Sequence, residues 1–126
     1  MRNPVGWFEI YVDDMKRAKQ FYEEVFKITL TELSNPDPSV QLQMLAFNFE
    51  ENQPGASGAL VKAEGMKAGG NSTLVYFGCD DCHIEESRVE KAGGKLLKPK
   101  MNIGEHGFVS ICEDCEGNIF GLHSMN

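Results

Sequence analysis

Basic residues and tryptophan are scarce in this chain: 12 Lys and Arg stand against 19 Asp and Glu over 126 residues, with one Trp and three His. The resulting net charge of -7, with the basic residues scattered rather than striped, excludes a nucleic-acid backbone as the natural partner. No apolar run approaches the roughly 20 residues a membrane-spanning helix needs, so no membrane association is expected. Proline is limited to five residues and no segment is dominated by one residue type, which excludes collagen-like and low-complexity chains. Met1-Arg2-Asn3-Pro4 runs straight into the apolar stretch from Val5 to Val12 without a long leader core or a small-residue cleavage site, and the expected compartment is the cytoplasm. Cys79, Cys82, Cys112 and Cys115 should therefore be thiols. A phosphate cradle is missing as well. Gly65-x₃-Gly69-Gly70 lacks a strand before it and a Lys-Ser/Thr after it, and no serine sits in a nucleophile elbow.

What is present suffices for one globular domain: 41% of residues are apolar before 13 glycines are added, and the length lies near the modal domain size. Val5 to Val12 is β-rich and ends at Asp13-Asp14, after which Ala18, Phe21, Tyr22 and Val25 recur at helical spacing. Thr73 to Cys79 is β-rich too, ends at Asp80-Asp81, and leads into a charged helical stretch from His83 to Ala92 closed by Gly93-Gly94. An offset of 67 superposes Asp14 on Asp81 and pairs apolar with apolar before them, Trp7 with Leu74 and Ile10 with Phe77 among others. Further β-like runs follow each helix: Ile28 to Leu33, Val40 to Phe49 and Ala59 to Lys62, then Lys95 to Leu97, Phe108 to Cys112 and Ile119 to His123. The expected fold is α+β, one domain over 1–126 made of two βαβββ modules, 1–64 and 71–126, joined by a short glycine-containing linker. Neither half can bury a sheet face alone, so the sheets must face each other, within the chain or across a homodimer, with a curved groove between them.

A duplicated βαβββ unit of this size resembles the vicinal oxygen chelate superfamily, which includes glyoxalase I, bleomycin-resistance proteins and extradiol dioxygenases. The segments that carry the resemblance are Trp7 to Phe26, Leu74 to Leu97 and Glu113 to Ser124. The last is similar to the family's Asp-Pro-Glu-Gly-Asn turn with Cys115 in place of proline. The resemblance implies a divalent ion held by four His, Glu or Gln side chains and chelating two neighbouring substrate oxygens. The positions it assigns to them are Trp7, one residue within Ser57 to Ala59, Leu74 and Gly121. None of these carries the usual ligand, because an indole donates only N–H and leucine and glycine offer no lone pair.

Strand alternation puts Trp7, Glu9 and Tyr11 on one face of the first strand and Phe8, Ile10 and Val12 on the other. If position 7 faces the groove, Glu9 does too, where a carboxylate among aromatics can hold an ammonium or act as a catalytic base; a rim carboxylate satisfied locally is the plainer alternative. Trp7 suits stacking on a flat or cationic ligand, or simply fills the space a metal site would occupy. Leu74 and Tyr76 share the matching face of the second module, and His123 shares strand parity with Gly121. His106 lies in a loop able to cover the groove, and His83 begins a helix. Two C-x₂-C pairs have plausible zinc spacing, but their places at the ends of antiparallel strands favour four incidental thiols.

These residues predict a protein that binds a small organic molecule through Trp7, Glu9, Tyr11, Leu74, Tyr76, Gly121 and His123, with no metal or other cofactor, as bleomycin-resistance proteins do. The alternative is a lyase, isomerase or dioxygenase that uses Glu9 as an acid/base or binds a metal through non-standard ligands such as Glu9 and His123. A third possibility is a structural subunit whose groove is closed by Trp7.

Overall fold

The computed structural model describes residues 3–35, 38–39 and 41–126; Met1, Arg2 and Val40, on which parts of the sequence reading fall, lie outside them. Strand β1 (Phe8–Tyr11), helix α1 (Met15–Phe26) and strands β2 (Thr31–Leu33), β3 (Leu42–Ala46) and β4 (Gly58–Ala63) come first. Strand β5 (Tyr76–Gly78), helix α2 (Cys82–Val89) and strands β6 (Lys95–Asn102), β7 (Phe108–Glu113) and β8 (Ile119–Ser124) repeat the order. Two four-stranded mixed sheets result, ordered β1-β4-β3-β2 and β5-β8-β7-β6. In each, the first strand lies parallel to the last, as in a βαβββ module.

The two helices begin at equivalent residues. Asp14 accepts a hydrogen bond from Arg17 N and Asp81 one from His83 N, each satisfying an orphan amide of the first turn. The helical spacing of α1 buries Met15, Ala18, Phe21, Tyr22 and Val25. Strand β6 runs past the expected end at Leu97, through Pro99. It is an edge strand, and its pairing with β7 shifts register on either side of Lys98, so no ladder bond is demanded of the proline.

Helix α1 joins the two sheets. The buried Tyr22 ring packs on Phe47 of the loop after β3 and on Phe77 and Phe120 of the second sheet, and Phe21 meets Phe120 edge-on. Ile10, Leu45 and Leu60 from one sheet and Cys112, Phe120 and Leu122 from the other join this single core. Each fully buried aromatic or branched side chain contributes roughly 1.5–3 kcal/mol. The sheets thus meet through their helix-facing sides, and the alternate residues of β1 and β5 are left on outer faces.

A turn at 114–118 clasps the second module onto the first. Tyr22 Oη donates to Asp114 at 2.6 Å, Asn118 Nδ2 to the Tyr11 carbonyl at 2.9 Å, and Asp14 N and Arg17 to Glu116. The linker is tied to the same turn by Gly69 N donating to Asn118 Oδ1 at 2.6 Å.

All four cysteines are free. Cys79 and Cys115 lie toward opposite ends of the second sheet, whereas Cys82 and Cys112 are both fully buried in the core. Burial pushes the Cys79, Cys112 and Cys115 thiols up to about 12, helped by carboxylates near each. Thiolate is the reactive form. The native protein should therefore show almost no fast reaction with a thiol-specific disulfide reagent at neutral pH and release four equivalents once unfolded. A fast native equivalent would contradict this picture of the core.

Candidate functional site

Glu9 is exposed on β1, an edge strand of the first sheet. It lies one residue into β1 and pairs across the ladder with Ala59 of β4, whose small side chain is completely covered. Trp7 Nε1 donates to Glu9 Oε2 at 3.3 Å and Tyr11 Oη to Glu9 Oε1 at 2.7 Å. Both carboxylate oxygens are thereby fixed between two aromatic side chains from the same face of one strand, as period-two alternation requires. The hydrogen bond to Glu9 raises the Tyr11 phenol above its ordinary value, with burial and the carboxylate charge adding to it. Tyr11 therefore stays a donor at neutral pH. The Trp7 ring is 44% exposed and available for stacking.

Glu9 and Tyr11 also border a crevice of about 370 Å³ between β1 and the second module, whose other walls include Lys67, Asn71, Thr73 and Ile119. Asn71 is fixed there by Ile119, donating from Nδ2 to its carbonyl at 2.9 Å and accepting from its amide at 3.0 Å. The sequence marks the junction of the two modules only as a glycine-containing linker and singles out neither Lys67 nor Asn71 as a site residue. The signal present is a lysine, Lys67, among the linker glycines and an asparagine, Asn71, directly after them.

Tyr76 and Gly121 form a separate pair on the second sheet. They are direct neighbours in the β5–β8 ladder, and the Tyr76 ring lies over Gly121 so closely that a Cβ there would sit 2.3 Å from Tyr76 Cδ1. Tyr76 also borders a crevice of about 460 Å³ lined by residues of the loop from Asn48 to Ser57. Leu74, 37% exposed, precedes β5. His123 is partly buried on β8, where Nε2 meets the His106 carbonyl at 2.6 Å. The structure therefore unites Trp7, Glu9 and Tyr11, unites Tyr76 with Gly121, and ties His123 to the 104–107 turn. No side-chain hydrogen bond or ion pair joins these groups among the described residues.

The profile of the Glyoxalase/Bleomycin resistance protein/Dioxygenase superfamily matches residues 5–122. The chain belongs to this superfamily. Among curated proteins it is 26% identical over 121 residues to "Putative glyoxylase CFP32" of Mycobacterium bovis, covering 96% of this chain and 45% of that protein. The chain thus spans less than half the length of that relative. A glyoxalase I mutant from Zea mays shares its fold with a TM-score of 0.71 at 21% identity, over 97% of this chain and 47% of that one. TnmS3, described as an antibiotic binding protein from Streptomyces sp. CB03234, aligns with a TM-score of 0.67 at 24% identity, over 97% and 95% of the two chains.

The superfamily's divalent ion does not fit the residues this member presents. Trp7 spends its only polar atom on Glu9, Leu74 has none, and the space a side chain at 121 would enter is taken by the Tyr76 ring. Of the window at 57–59, Ser57 donates its hydroxyl to the Phe47 and Asn48 carbonyls, and Gly58 and Ala59 carry no ligating atom. No group of three or more His, Cys, Asp or Glu is placed to hold a metal ion among the described residues. No helix among them is long and apolar enough to cross a membrane.

Proposed function

We propose that this superfamily member binds a small organic molecule on the outer face of its first sheet, with Glu9 as the charged anchor, Trp7 as the stacking surface and Tyr11 holding the carboxylate in place. The observation that carries this reading is the pair of hydrogen bonds that fix Glu9 between two aromatic side chains. A carboxylate backed by aromatic rings selects a cation, because the rings add quadrupole attraction to the charge. The antibiotic-binding relative of nearly equal length supports a role in holding a ligand.

A second copy of the chain completes the groove in this reading. Trp7, Leu33, Leu74 and Tyr76 are between 37% and 49% exposed, and these belong to or border strands of the two sheets. Such apolar surface outside the common core supports a homodimer in which the sheet of one protomer covers that of its partner.

A catalytic reading rests on the same short contact. Tyr11 Oη lies 2.7 Å from Glu9, a distance at which a proton can pass between a substrate, the carboxylate and the phenol in lyase or isomerase chemistry. One substitution separates the two. Glu9→Gln should weaken binding of benzyltrimethylammonium, read by Trp7 fluorescence, by about ten-fold or more while leaving a neutral aromatic nearly unaffected. Unchanged affinity for the cation would remove Glu9 as the anchor. Loss of turnover of an identified substrate, with its affinity intact, would establish the catalytic reading instead.

A further inference from the structure

Phe8 points to the side of β1 opposite Glu9, where a second crevice of about 260 Å³ lies among Phe8, Phe26, Phe47, Phe77 and Ile28. The four rings form one cluster, with centroids 4.6 Å apart for Phe26 and Phe77, 5.4 Å for Phe47 and Phe77, and 5.7 Å for Phe8 and Phe47. Glu85 of α2 shares this lining, and its Oε1 is buried without a hydrogen-bond partner. The cations nearest in sequence are committed elsewhere. His83 pairs with Glu86, and Arg88 donates to the Val25 carbonyl. The Ser57 hydroxyl in the lining already serves the Phe47 and Asn48 carbonyls. The Cys79 thiol, pushed up to about 12 by burial and by the charge and hydrogen bond of the Glu85 carboxylate, stays neutral and offers that carboxylate only a weak S–H donor.

A buried carboxylate oxygen with no N–H or O–H donor is a standing cost to the fold. An apolar crevice with one such acceptor has the ordinary make-up of a small-molecule site: walls that bind by area and a polar atom that sets orientation. We infer that this crevice binds a small primary amine, its ammonium donating to Glu85 Oε1 and its single ring or short alkyl chain lying among Phe8, Phe26, Phe47 and Phe77. The volume falls below the roughly 300 Å³ at which drug-sized pockets begin, which limits the apolar part to that size. The aromatic walls add cation–π attraction for the same charge. A neutral alcohol of the same shape offers a donor without charge, a quaternary ammonium offers charge without a donor, and an anion is repelled. This site is distinct from the one anchored by Glu9: Phe8 lines both crevices, but Phe26, Phe47, Phe77 and Glu85 line only this one, and Glu9 lines only the other.

The test is a titration of the full chain with benzylammonium, followed by amide and indole resonances in heteronuclear NMR. Saturable shifts are expected at Ser57, Gly78 and Glu85, while the single Trp7 indole resonance stays in place. Benzyl alcohol should bind about ten-fold more weakly or worse, and Glu85→Gln should lower benzylammonium affinity by a similar factor. Ala56→Leu, which fills the crevice without touching the carboxylate, should also abolish the shifts, and it serves as the deciding variant should Glu85→Gln fail to fold. Three results overturn the inference: no saturable shift at millimolar benzylammonium, shifts confined to Trp7 and Glu9, or wild-type affinity in a folded Glu85→Gln or Ala56→Leu protein.

Discussion

Replacing Asp114 with alanine is expected to cost about 3 kcal/mol of stability, among the largest losses available to a single side chain here. The carboxylate is 3% exposed and accepts from Tyr22 Oη at 2.6 Å, from Glu116 N and Asn118 N at 2.8 Å each, and from Asn118 Nδ2 at 3.2 Å. Alanine would leave these donors facing an apolar gap, and several unpaired groups at roughly 1–3 kcal/mol each outweigh the relief of no longer burying a charge. Tyr22→Phe, which removes one donor and leaves the carboxylate three others, should cost only about 1 kcal/mol. The midpoint of urea unfolding for both variants checks the pair.

The pH dependence of that loss has a definite sign. Burial raises the Asp114 carboxyl pKa above its ordinary value against the pull of its hydrogen bonds, the Tyr22 one foremost. A carboxyl whose pKa is higher folded than unfolded binds its proton more readily in the folded state. Its linked stability is fully present below the ordinary carboxylate value and is lost as pH rises through the raised one. The stability gap between wild type and Asp114→Ala should therefore be widest in acid and shrink toward neutrality. A gap that widened with pH would mean the hydrogen bonds outweigh burial.

Gly58→Ala should be comparably damaging, because it forces apart the strand pair that presents Glu9. A Cβ on Gly58 would lie 2.2 Å from the Phe8 carbonyl oxygen and 2.6 Å from the Phe8 ring. Backbone cannot swing aside as a side-chain tip can, so β1 must move away from β4, at a cost of about 1–3 kcal/mol or somewhat more. Since Glu9 follows Phe8, affinity for a ligand at Trp7 should fall together with stability. Gly6→Ala is the control, with nothing within 4 Å of its added Cβ, and it should change stability by no more than about 0.5 kcal/mol. Equal unfolding midpoints for the two variants would contradict the strand register.

Much of this was legible in the sequence because the chain carries its pattern twice. The offset that superposed Asp14 on Asp81 superposed two residues that cap helices, and alternation along 7–11 placed Trp7, Glu9 and Tyr11 together. Short-range periodicity tells which side a residue faces. It does not tell what stands across from it. The Phe8 side was readable as apolar, yet nothing in the spacing brought Phe26, Phe77 and Glu85 to it from three other elements. Pro99 hid the length of β6, because a proline reads as a strand end unless the strand is known to lie at a sheet edge. Cys82 and Cys112 share a core because α2 packs on the second sheet, a long-range fact that C-x₂-C spacing does not encode.

Binding at Trp7, Glu9 and Tyr11 without a metal is tested by titrating Trp7 fluorescence with benzyltrimethylammonium, once in excess chelator and once with added zinc. A saturable change in emission with the same midpoint in both is expected. A response that appears only with zinc, or no response in either, would contradict it.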